Sequence, residues 1–175
     1  FFLIGIIKEL IVNKNKSLVK NSFKEIDFAT ILLLTGLFIV IGGVKNAGII
    51  DSISKIISNI SGGSVFLVYS IIVWISVFFS AFIDNIPYVA TMLPVVAGIS
   101  GNLGIDPNLL YFGLLTGATL GGNMTPIGAS ANITGIGILR KEGYEVQAKT
   151  FMKYGIPFTL AAVTVGYILI WFLWK

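Results

Sequence analysis

Apolar residues run through this chain in long stretches, and the sparse charges mark where each stretch ends. Phe28 to Val44 is 17 residues without a charge, at the lower limit for a membrane helix. Ser64 to Ile83 is a run of 20, and Tyr154 to Trp174 one of 21. Pro107 to Leu139 holds 33 uncharged residues, where a single crossing takes about 20. That run is either an interrupted helix over 107–139 or a helix plus an intramembrane loop. Lys45 to Ser61 has a different pattern. Ile49, Ile50, Ile53, Ile56, Ile57 and Ile60 recur every three to four residues, with Asp51, Ser52, Lys55, Ser58 and Asn59 between them. This predicts an amphipathic helix over 46–61, ended by Gly62-Gly63. Its isoleucine face either lies at the membrane interface or rests on neighbouring helices. Phe1 to Ile7 reads as the tail of a transmembrane helix, so the sequence is expected to be the C-terminal part of a longer protein.

Composition agrees with the pattern. Hydrophobic residues make up 55% of the chain and charged ones only 11%, and the mean hydropathy is +0.93. A soluble domain is about 25% charged. The expectation is an all-α, polytopic protein of the cell membrane with the lipid bilayer as its solvent. The net charge of +4 does not indicate nucleic acid, because the basic residues sit in short connectors. Lys8–Asp27 holds five lysines, and Arg140–Lys153 holds four basic residues. Under the positive-inside rule both loops, 8–27 and 140–153, are cytoplasmic. Trp171 and Trp174 fit an interface belt on the final span, 154–174. The segment between the connectors then crosses zero or two times, as a re-entrant hairpin or as two full helices. The absence of Cys and His removes disulfides, thiolate chemistry, a Ser-His-Asp triad and the usual zinc ligands.

Two polar interruptions carry the remaining chemistry. The first is Ser80-Ala-Phe-Ile-Asp84-Asn85-Ile-Pro87. It has no Lys or Arg, which favours a hairpin over 64–100 whose tip stays in the membrane. A carboxylate at the bilayer centre costs about 3 kcal/mol, so Asp84 is a functional candidate. The plainer reading is that Asp84-Asn85 caps a helix begun at Pro87. The two readings are compatible.

The second interruption is Gly121-Gly122-Asn123-Met-Thr125-Pro126-Ile-Gly128-Ala-Ser130-Ala-Asn132. Gly-Gly-Asn is expected to end one helix in left-handed geometry, and Thr125-Pro126 to start another. The prolines at 87 and 126 free the carbonyls of Ile83 and Gly122, which suit a cation, beside helix N-termini, which suit an anion. Ser130 and Asn132 can reach the same place. Discontinuous helices of this kind form the substrate and ion sites of secondary transporters. Gly113, Gly117 and Gly121 recur every fourth residue, a stripe that fits close helix packing. That stripe does not account for Asn123, Thr125, Ser130 and Asn132.

Both motifs, together with Gly36-Leu-Phe-Ile-Val-Ile-Gly-Gly43, resemble the C-terminal half of the ion transporter superfamily, in the branch of arsenite permeases, the P protein and citrate-transporter-like permeases. The resemblance implies a transporter of two inverted repeats, one of which lies here in residues 1–175. It implies a re-entrant hairpin tipped by Asp84-Asn85 and a helix broken at Asn123–Pro126. It also implies partnership with an N-terminal half, and a homodimer. Relatives move anions or metalloid oxyacids, or exchange sodium for protons. Carried over, Asp84, Asn85, Asn123, Thr125 and Asn132 line the site. The chain departs from the pattern at three places. Asp84-Asn85-Ile86 replaces the Ser-Asn-Thr of dicarboxylate relatives, which disfavours a bare dianion. Lys45 stands where Glu is frequent, and Met124 where Gly precedes Thr.

The expected function is ion-coupled secondary transport of a small anion or metalloid oxyacid, with sodium/proton antiport as the alternative. No cofactor beyond a sodium ion is expected. An intramembrane aspartyl protease needs two carboxylates sharing a proton, and only Asp84 and Asp106 are available. A non-transporting scaffold would have no aqueous cavity at the breaks.

Overall fold

The computed structural model describes Ile4, Gly5, Ile7, Lys8 and residues 28–175. Those first four residues are helical, and the connector from residue 9 to Asp27 lies outside the described residues. The chain divides into a unit of Phe1–Leu37 and a unit of Phe38–Lys175. Among the described residues the structure is helical, with no strand. Seven α-helices follow in order: α1 Phe28–Asn46, α2 Ile49–Ile60, α3 Val65–Ser80, α4 Asn85–Leu103, α5 Asn108–Gly121, α6 Ser130–Lys141 and α7 Ala148–Trp174. A 3₁₀ turn, Gly122–Met124, extends α5. By length and composition α4 and α7 are able to cross a membrane, and α1 with α2 makes a third span if that bent pair counts as one. α3 is apolar and 16 residues long.

Several helices outrun the apolar stretches that predict them. α1 continues to Asn46, where Lys45 meets the negative end of the helix dipole. α7 starts at Ala148, so Lys149 and Lys153 of the expected connector are helical. Charge marks where lipid burial stops, whereas the backbone ladder continues as long as nothing breaks it. Gly48, at φ 72, turns the chain between α1 and α2.

The packing of α2 separates its isoleucines into two rows. Ile50 and Ser54 are buried, and the Ser54 hydroxyl donates to the Val95 carbonyl of α4 at 3.1 Å. Ile49, Ile53, Ile56 and Ile60 form a second row that stays exposed. One row therefore rests on a neighbouring helix, and the other remains available to an interface.

The core of the second unit is built from Val68, Ile72 and Val73 on α3, Val96 and Ile99 on α4, Leu110 and Leu114 on α5, and Val163 on α7. The glycine stripe sets how closely α5 approaches α3. A Cβ added at Gly117 would lie 2.4 Å from the Val73 carbonyl oxygen, and one at Gly121 would lie 2.6 Å from that of Val77. No side chain fits there. α5 thus lies directly on the backbone of α3, which brings the end of α5 to the end of α3.

Candidate functional site

The turn after α3 is tight. Ile83 N–H returns to the Phe79 carbonyl at 2.9 Å, and Asp84 then caps α4 by accepting from Ile86 N–H at 3.3 Å. Asp84 is thus the N-cap predicted for it, but α4 starts at Asn85 and Pro87 is its third residue. Tyr88 ties the two arms together, its hydroxyl 3.1 Å from that of Ser76. Both residues are buried.

The second break differs from the expected form. Gly121 and Gly122 keep right-handed helical angles, and the chain leaves α5 through the 3₁₀ turn rather than through a left-handed glycine. Thr125 is extended at φ −125 and ψ 159 because the ring of Pro126 excludes the helical region for the residue before it. The helix does not restart at Pro126. It restarts at Ser130, with Ala129 as the cap residue. Pro126 is therefore part of the irregular segment and not a helix N-terminus. The Gly122 carbonyl is not free either, since the Asn132 side-chain amide donates to it at 2.9 Å.

Hydroxyls join the turn between α3 and α4 to α5 and the segment that follows it. Ser80 Oγ donates to the Ala118 carbonyl at 2.5 Å, and Thr125 Oγ1 donates to the Ala81 carbonyl. Ser130 donates to Asp84 Oδ2 twice, from its hydroxyl at 2.5 Å and from its amide at 3.3 Å. Asp84 therefore accepts from the first turns of both α4 and α6. Gly128 sits where these strands of chain converge. A Cβ there would lie 2.5 Å from the Gly122 carbonyl oxygen, 2.8 Å from that of Ala81 and 2.9 Å from that of Ser80.

The structure brings Asp84 and Ser130 into contact, and it gathers Thr125, Asn132 and Gly122 beside them. Asn85 and Asn123 face elsewhere. Asn85 lines a cavity of about 300 Å³ with Val89, Leu115 and Thr119. Asn123 lines one of about 470 Å³ with Thr150, Phe151, Tyr154 and Phe158. Ser80, Ala81 and Gly128 are the participants that sequence reasoning missed. Ser80 opens the first motif and Gly128 sits inside the second, but only contacts across about 40 residues of chain reveal what they do. Among the described residues no group of three or more acidic side chains forms a metal site. The oxygens at the breaks are hydroxyls, carbonyls and one carboxylate, a hard set that suits an alkali cation. Asp106 lies just before α5, at the far end of that helix, and accepts from Asn108 N–H at 2.8 Å. Fourteen residues of helix separate it from the breaks, about 20 Å. The two acids therefore form no catalytic dyad.

Residues 10–117, more than half of the chain, match the family described as citrate transporter. The chain belongs to the citrate transporter family. The matched region includes the hairpin and ends within α5. An uncharacterized transporter of Mycobacterium tuberculosis is 34% identical over 149 residues, covering 84% of this chain. The P protein of Homo sapiens is 33% identical over 149 residues, covering 81%. An uncharacterized transporter of Synechocystis is 26% identical over 164 residues, covering 85%. The chain spans 35% of the length of the mycobacterial relative and 18% of the human one. No solved structure matches it. Its long apolar helices and its place in the citrate transporter family make it a membrane-embedded protein.

Proposed function

We propose that this chain supplies part of the site of an ion-coupled secondary transporter, not an enzyme, and that the site lies between the hairpin tip and the broken helix. The observation that carries this reading is the double hydrogen bond from Ser130 to Asp84, which joins the two breaks through one carboxylate. Helix interruptions at membrane depth persist only where protein or a wet cavity meets them. Secondary transporters bind substrate and ion at such interruptions. Neutral donors hold Asp84 and leave its charge uncancelled. Carrying that charge through lipid requires a cation or a proton. Sodium is the candidate cation, met by Asp84 together with the nearby carbonyls. The cargo of this reading is a small anion or metalloid oxyacid. Residues 64–100 form the re-entrant hairpin, Arg140–Lys153 faces the cytoplasm, and an N-terminal half and a second copy complete the transporter.

One observation favours sodium/proton antiport as a second reading. Asp84 accepts from the first turns of α4 and α6, so the helix ends that would attract an anion already hold the chain's own carboxylate.

The test is flux by the full-length protein in vesicles, with sodium, pH and candidate anions varied. Asp84→Asn is expected to abolish gradient-driven flux while the protein still inserts and purifies as wild type does. Normal coupled flux in that variant would sink the assignment. Exchange of sodium for protons without any anion would select the second reading.

A further inference from the structure

Asn132 spends its side-chain amide on the break itself. Its Nδ2 donates to the Gly122 carbonyl at 2.9 Å and to the Thr125 carbonyl at 3.0 Å. These acceptors lie ten and seven residues back along the chain, at the first residue of the 3₁₀ exit from α5 and at the residue that follows it. Two carbonyls can be met only by the nitrogen of a carboxamide, so the geometry fixes which way the amide points. Asn132 is half-buried in the first turn of α6. Ser130, two residues before it, donates to Asp84.

A donor shared by two carbonyls takes the place that a cation takes in an ion site. Oxygen ligands sit about 2.3–2.6 Å from a cation of calcium's size, a little closer than these nitrogen–oxygen distances. We infer that the Asn132 amide is an internal stand-in for the coupling cation: it holds the Gly122 and Thr125 carbonyls in place without the ion and must release them for the ion to bind. This rests on the transport reading above and adds to it a positioning residue that competes with the ion rather than ligating it. Competition has a definite sign. A side chain that stabilises the ion-free state lowers apparent ion affinity by the fraction of time it occupies the carbonyls.

The experiment measures radioactive sodium binding to full-length protein in detergent, with choline as the control ion. Asn132→Ala removes both donors, and Asn132→Leu keeps the size and adds no charge while removing the N–H groups. Both are expected to bind sodium about tenfold more tightly than wild type, the scale set by two ordinary hydrogen bonds. An unchanged or weaker sodium constant in either folded variant overturns the inference, because a ligand would weaken and a purely structural residue would do nothing. If both variants misfold, the wild-type background decides. A cysteine introduced by Met124→Cys, at a half-buried position between the two latched carbonyls, is expected to react with a maleimide several times faster in sodium than in choline as the latch opens, and equal rates overturn the inference. Binding and flux separate this result from the transport reading. Tight sodium binding without flux would count against transport and leave the latch intact. Proton-coupled flux without sodium binding would remove the latch and leave transport intact.

Discussion

Ser130 donates both its hydroxyl and its amide to a single oxygen of Asp84. The carboxylate is half-buried, so the hydroxyl contributes about 1.5–2 kcal/mol, the lower part of the range for bonds to a charged group. Ser130→Ala is expected to lower thermal stability by that amount. The loss should be smaller in an Asp84→Asn background, where the bond has become an ordinary one. A thermal-melting double-mutant cycle checks this, and fully additive effects would show that the two side chains do not interact. Sequence makes Asp84 legible as a candidate because a charge in an apolar run is costly wherever it sits. Asn85 and Asn123 carry the same local signal, yet they line separate cavities. A polar residue at a break announces a site nearby, but the direction of its side chain depends on what packs around it.

Among the elements, α3 and α5 decide whether the site forms. Ser76 and Tyr88 pin α3 to α4, and the glycine stripe lays α5 on α3. Gly117→Ala places a methyl group 2.4 Å from the Val73 carbonyl oxygen, so the helices must separate. The expected cost is about 1–3 kcal/mol, as for other overpacked interiors, together with reduced flux because the break moves away from the tip. Gly101→Ala, in α4, meets nothing within 4 Å and is expected to leave stability unchanged or slightly raised. Thermal melting of the two variants side by side tests the stripe, and equal melting would refute it. The four-residue spacing of the glycines predicts such a stripe, and the structure names its partner. The start of α6 was not legible in the same way. Thr125-Pro126 has the composition of a helix start, but Pro126 forces Thr125 into extended geometry and Gly128 is packed against three carbonyls. The chain regains helical angles only at Ser130.

At the scale of the molecule, orientation is the open quantity, and charge predicts it. Arg140, Lys141, Lys149 and Lys153 surround the turn between α6 and α7. This turn is expected to face the cytoplasm. The chain has no cysteine, so Tyr144→Cys, at an exposed residue of that turn, can be labelled on its own in full-length protein cleared of other thiols. A membrane-impermeant reagent should reach it from the inside only, and labelling from outside would invert the topology. The family match reaches from residue 10 to residue 117, so it includes the hairpin but not the second break. The second break is tied to the first by contacts alone.

The sequence by itself determined where the apolar runs lie, where they are interrupted and which residue types stand at the interruptions. Those are local matters: proline removes a donor, glycine admits close backbone, and charge resists lipid. Tertiary structure decided which oxygen meets which donor. Ser130 reaches Asp84 across 46 residues and Thr125 reaches Ala81 across 44. Such pairings follow from the register in which α5 lies on α3, and that register comes from the packing of whole helix faces, which no short stretch of sequence encodes.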